Sequence, residues 1–220
     1  MKIHLPAALL LACLTLILTS GSGCKSIYYG TWERLGYEKR DLLVDQVKDT
    51  RAQQEETKQQ FASALEQFQA TFDFDGGELE KAYEKLKDDY DRSVSQADDL
   101  RGEIKSVKSI GKDLFKEWGQ EIELQANPEF KDLMVQQRDT TRASYDQMVE
   151  KMDTAAARMD PVLQAFNDRI LVMKSSLNAA AIASLETTSA QLAGDVEALI
   201  AEMNQSIAEA DEFISALSAG

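Results

Sequence analysis

The chain has 220 residues, with 38 Asp and Glu against 24 Lys and Arg, and it contains two cysteines, three prolines and one histidine. Cys13, Cys24 and His4 all fall in the first 24 residues, so the remainder has neither residue type. That excludes from the remainder a His-dependent triad, a Cys–His nucleophile pair, His/Cys zinc sites and a di-iron bundle built on Glu-x-x-His.

Residues 1–23 read as a lipoprotein signal peptide. Lys2 gives a positive start, and residues 5–18 form a 14-residue apolar stretch, too short to span a bilayer comfortably and the length of a signal core. Small residues then lead to Cys24, the expected lipid-attachment residue. Gly21 stands where a lipobox usually has Leu, and Leu10-Leu11-Ala12-Cys13 fits that short pattern better. Cutting at Cys13, however, would leave Leu14 and Leu16-Ile17-Leu18 as an exposed apolar remnant. An ordinary secretory signal with an incidental cysteine is the alternative. Lys25 is not an inner-membrane retention residue under enteric rules, so the expected address is the periplasmic face of the bacterial outer membrane.

Without the signal, 23 cations face 38 acids, a balance of −15. Such acidity argues against nucleic acid, whose phosphates need Lys and Arg. Residues 24–38 differ: Lys25 and Arg34 are interleaved with Tyr28, Tyr29, Trp32 and Tyr37, a composition suited to a membrane-proximal anchor or to packing at the base of a bundle.

Residues 39–218 read as a single elongated helical domain, rich in Ala, Leu, Glu, Lys, Gln and Met. A first helix is expected over residues 39–72, with Leu43, Val47, Phe61, Leu65, Phe68 and Phe72 inward; its middle, residues 48–60, is nearly all polar and shows no core face. Gly76-Gly77 breaks it. A second helix over residues 78–126 carries a stripe from Leu79 through Leu86, Leu100, Ile104, Val107 and Leu114 to Trp118 and Ile122. Asn127-Pro128 provides an N-cap and a first-turn proline for a third. Its expected core runs from Phe130 and Leu133 through Tyr145, Met148, Met152, Met159, Phe166 and Met173, and Pro161 should kink or interrupt it. The polar run 136–141 is expected to match the polar zone of the first helix as a thin or wet section. After a turn near Asn178, the last helix shows Leu185, Leu192, Val196, Leu199, Met203, Ile207, Ala210, Ile214 and Leu217. The fold class is all-α, as antiparallel helical hairpins or a coiled-coil-like four-helix bundle.

No catalytic, cofactor or metal residue is assigned. Residues 73–78 place carboxylates around a glycine turn but lack the twelve-residue spacing of a calcium loop, so a plain helix linkage competes with a weak cation site. Acid pairs such as Glu84 with Asp88 read as solvated helix faces, and the methionines at helical spacing as core filling.

Several blocks are more specific than helical bias. They include Lys39-Arg40-Asp41, Leu43-Val44-Asp45-Gln46-Val47, Ser63-Ala64-Leu65-Glu66-Gln67-Phe68 and Phe74-Asp75-Gly76-Gly77. Leu114-Phe115-Lys116-Glu117-Trp118, Met159-Asp160-Pro161-Val162-Leu163 and Asp211-Glu212-Phe213-Ile214 continue the series. On these the chain resembles an uncharacterised family of bacterial lipoproteins catalogued as a domain of unknown function. The resemblance covers essentially everything after the signal and implies an exported, lipid-anchored, all-helical protein, with no catalytic or ligand residue to carry over. Ala180 stands where a basic residue is expected in relatives, which counts against an anionic ligand at that turn.

The expectation is a non-enzymatic structural or adaptor protein of the cell envelope. It would touch the membrane through its lipid and engage a protein partner; a homo-oligomer is left open. The alternative is a helical module binding a cation or small cationic ligand.

Overall fold

The computed structural model describes the backbone of residues 24–73, 79–175 and 179–218, and the side chains of residues 39–72, 80–175 and 185–217. The chain divides into two units, Met1–Lys39 and Arg40–Gly220, and the helices pack into a core within the second. Four helices follow in order: α1 (Cys24–Ala70) with a 3₁₀ turn at Thr71–Asp73, α2 (Leu79–Leu124), α3 (Pro128–Ser175) and α4 (Ala179–Ser218). No strand occurs among the described residues. The helix expected from residue 39 therefore begins at Cys24, because the aromatic-rich stretch before it contains no proline to stop a helix.

Cross-helix hydrogen bonds fix the arrangement. Gln46 meets Glu103, Gln53 Nε2 donates to Gln96 Oε1 at 2.6 Å, and Gln60 Nε2 donates to the Asp89 carbonyl at 3.1 Å. Each step of seven along α1 is thus matched by seven back along α2, so the two are antiparallel and in heptad register. Arg51 with Asp211 and Lys58 with Asn204 tie α1 to α4. Arg101 with Asp160 and Lys108 with Asp153 tie α2 to α3, while Gln147 with Glu209 and Lys151 with Gln205 tie α3 to α4. The unit is an all-α, up-down-up-down four-helix bundle.

Core positions follow the alternation of four and three residues that a bundle seam requires. On α1 and the 3₁₀ turn that follows it, the buried series is Leu43, Val47, Thr50, Gln54, Thr57, Phe61, Ala64, Phe68 and Thr71. The polar stretch 48–60 therefore has a core face after all, one built from hydroxyls and an amide. Met148, Met152, Met159 and Met173 fill the core from α3, as their spacing indicated. Two aromatic groups flank the polar stretch. Phe68 packs edge-on to Phe72 and Phe166; beyond the other side, Phe115 meets Trp118 and Tyr145, and Tyr145 meets Phe213.

Two further expectations are corrected. Pro161 does not interrupt α3, which runs through it. Both Pro161 and Ala157, whose carbonyl loses its partner, are exposed, so water can satisfy the orphaned oxygen. Phe130 and Leu133 are not core but 55% and 61% exposed. Gln147 pairs with Glu209, and α4 ends at Ser218, so the first turns of α3 extend beyond the α4 surface that would cover them. The Asn127 cap holds as read: its Oδ1 accepts from Glu129 N at 2.9 Å.

Gly111 gives the Tyr145 ring of α3 room to lie against α2. A Cβ there would overlap that ring, which also packs against Phe115 and Phe213. We expect Gly111→Ala to destabilise the protein in urea melts. Overpacking of about 1–3 kcal/mol outweighs a helix-propensity gain of about 1 kcal/mol. In a Tyr145→Ala background the same substitution should become neutral or stabilising.

Candidate functional site

The polar layer is the first place where side-chain chemistry could be concentrated. Thr50 Oγ1 donates to the Gln46 carbonyl at 2.8 Å, Thr57 Oγ1 to the Gln53 carbonyl at 2.7 Å, and Ser93 Oγ to the Asp89 carbonyl at 2.8 Å. These hydroxyls are satisfied by their own helices, which lets them occupy core positions at little cost. Gln54 cannot do this. It is completely buried, its Nε2 donates across the bundle to Ser206 Oγ at 2.6 Å, and its Oε1 has no partner. Rotating the amide half a turn merely exchanges which end is orphaned. The layer joins hydroxyls and an amide, with the buried Asp89 at its α2 side directed to Arg92 on its own helix, so what it offers across the bundle is hydrogen bonding.

The second feature is an open groove of about 490 Å³ between α3 and α4, lined by Leu133, Gln136, Gln137, Thr140, Thr141, Ser144, Phe213, Ala216 and Leu217. The run 136–141 thus does not meet the polar stretch of α1; it forms the wall of this groove, over an apolar floor from α4. Its residues can contact an extended partner through amides and hydroxyls.

At the end where α2 meets α3, the chain enters the bundle with the Arg40 guanidinium 4.3 Å above the Trp118 ring. Glu121, close by, is held above its ordinary carboxyl range by burial, opposed by Arg40 and reinforced by Glu117. Burial likewise pushes the Tyr145 phenol up to about 12. At the far end Arg169 spans two helices, donating to the Ala165 and Thr188 carbonyls at 2.8 Å each.

Among the sequence-derived candidates, Cys24 is the first residue of α1, and its side chain lies outside the described residues. So do the side chains of Tyr28, Tyr29, Trp32, Tyr37 and Ala180, and nearly all of the 73–78 turn. Among the described residues no group of three or more His, Cys, Asp or Glu could hold a metal ion. Sequence reading missed Gln54 and Ser206. The available signal was their fit to the four-three spacing once polar residues were allowed in it.

These features define a heptad-packed, antiparallel four-helix bundle with a polar layer between two aromatic zones. The family is shown directly. The chain belongs to the family described as Protein of unknown function (DUF2959), whose profile matches residues 28–217. This agrees with the unknown-function family expected from the sequence blocks. No curated protein and no solved structure matches it.

Ser206→Ala should cost about 1–3 kcal/mol in denaturant melts, because it strips the Gln54 amide of its one partner. Combining it with Gln54→Leu should recover that loss or exceed wild-type stability. Glu121→Gln should raise stability at pH 7. With the folded-state pKa above the unfolded 4.5, the favourable protonated form is lost as pH rises through the folded value. The gain should vanish in melts run below pH 4.5.

Proposed function

We propose that the protein is a non-enzymatic, lipid-anchored component of the bacterial cell envelope, attached through Cys24 to the periplasmic face of the outer membrane. There it acts as a structural or adaptor module. The observation that carries this reading is the positive start and the 14-residue apolar run, followed by five small residues that lead to Cys24, the residue where α1 begins. Among the described residues no helix is long and apolar enough to cross a membrane. Thioether-linked lipid at Cys24, with the aromatic and basic residues 25–40 behind it, would supply attachment.

The adaptor role draws on the bundle's exterior. Helices of 40 to 48 residues present charged seams and the amide-lined α3–α4 groove, surfaces fitted to a protein or a cell-wall polymer. The bundle supplies recognition surface and spacing rather than a reacting group.

Growth with radiolabelled palmitate tests the anchor. Label should enter the protein, disappear in Cys24→Ala and persist in Cys13→Ala, with wild type recovered in the outer-membrane fraction. Label that survives Cys24→Ala, or wild type released freely with the periplasmic contents, would overturn it.

A further inference from the structure

The outer face of α2 beside α3 carries a row of cations, Arg101, Lys105, Lys108, Lys112 and Lys116, spaced by four, three, four and four residues. Facing them, α3 repeats an acid every seven residues at Asp146, Asp153 and Asp160. The two sets interlock over the first half of the row, Arg101 with Asp160 and Lys108 with Asp153. One heptad further on, the α2 position is Phe115, which has no charge to offer. The acid it should meet, Asp146, is instead held by Arg142 from its own helix at 3.0 and 3.1 Å. The Arg142 guanidinium lies 4.8 Å above the Phe115 ring.

Lys105, Lys112 and Lys116 are therefore left out of the seam pairs, and the last two lie side by side beyond its end. Both are exposed, and among the described residues neither has a carboxylate partner. Their ammonium groups, with Lys108 and Arg142, rim a groove of about 330 Å³ whose floor is the buried rings of Phe115 and Tyr145. Gly111 makes that floor by letting the Tyr145 ring lie against α2. Of the four rim cations, Lys108 and Arg142 are paired with Asp153 and Asp146, which leaves Lys112 and Lys116 outside any ion pair on a chain whose net charge is −14. An apolar floor strengthens charge-assisted hydrogen bonds made above it.

We propose that this groove binds a phosphate monoester, whose charge of about −1.5 to −2 at pH 7 matches the two unpaired lysines. Arg142, stacked on Phe115 and held by Asp146, supplies a pre-oriented planar donor, and Lys112 and Lys116 supply mobile point charges. The same headgroup chemistry occurs on a small soluble ester and on a phosphatidic acid surface.

Calorimetric titration of the full chain with glycerol 3-phosphate, against chloride at matched ionic strength, tests the site. Saturable binding is expected with phosphate only. Lys112→Glu and Lys116→Glu should each weaken it by roughly 10-fold or more, since a charge-assisted hydrogen bond is worth about 1.5–3 kcal/mol. Lys85→Glu, the same charge change elsewhere on α2, should leave it within about twofold. Flotation with phosphatidic acid vesicles against phosphatidylcholine vesicles separates the sources. A preference for phosphatidic acid that Lys112→Glu abolishes assigns a membrane phosphate, and binding of the soluble ester alone assigns a free ligand. No saturable binding in either arm, or equal losses in Lys85→Glu and Lys112→Glu, overturns the proposal.

Discussion

A bundle whose four helices all repeat every seven residues can, in principle, slide by one heptad and bury nearly the same apolar surface. The contact that forbids this is Gln54 with Ser206. Moved seven residues either way along α4, the Gln54 amide would face Leu199 or Phe213, both completely or almost completely buried, with nothing to accept its hydrogens. An unsatisfied buried amide costs a few kcal/mol, against a total stability of only about 5–15 kcal/mol. Between α1 and α2 the amides discriminate less, since a slip would set Gln53 against Asp89 or Glu103, whose carboxylates can accept its hydrogens as Glu103 does from Gln46. The polar layer thus costs some core stability and in exchange fixes which residues face one another.

The aromatic zones depend on that register. Tyr145 reaches across α2 only where Gly111 gives it room, and its hydroxyl then meets the Val107 carbonyl at 3.3 Å. One heptad away in either direction on α2 stand Ile104 and Trp118, whose side chains would fill the space the ring occupies. Glycine here serves close approach, without any unusual backbone angle. Phe115, Tyr145 and Phe213 consequently join three helices near the end where Arg40 enters, while Phe68 and Phe166 join α1 to α3 near the other.

Much of this was legible in the sequence, and the exceptions share a cause. Leu86, Leu100, Ile104, Val107, Met148, Met152, Met159, Val196, Leu199 and Met203 are buried where apolar periodicity placed them. Thr50, Gln54, Thr57 and Ser206 were invisible because a search for apolar residues treats the amide of a core glutamine as a surface group. Phe130 and Leu133 erred in the other direction. Periodicity marks the face a helix would bury, but burial also needs a neighbouring helix at that height, and α4 does not extend alongside the start of α3. Pro161 shows the same dependence on setting, since the cost of a missing amide is smaller where its orphaned carbonyl can reach water.

The surface can be reasoned about in the same way. Exposed ion pairs contribute about 0–1 kcal/mol each, so the seam of Arg101–Asp160 and Lys108–Asp153 does little to hold α2 and α3 together. Its larger consequence is neutralisation. A paired lysine offers an incoming anion no net field, whereas an unpaired one beside an apolar floor does. The buried ring at Phe115 and the capture of Asp146 by Arg142 both follow from packing, and together they end the pairing where Lys112 and Lys116 begin. Within an acidic chain, that break in the seam places Lys112 and Lys116 side by side without an ion pair, so the register that the buried glutamine sets also decides where the outer face can attract an anion.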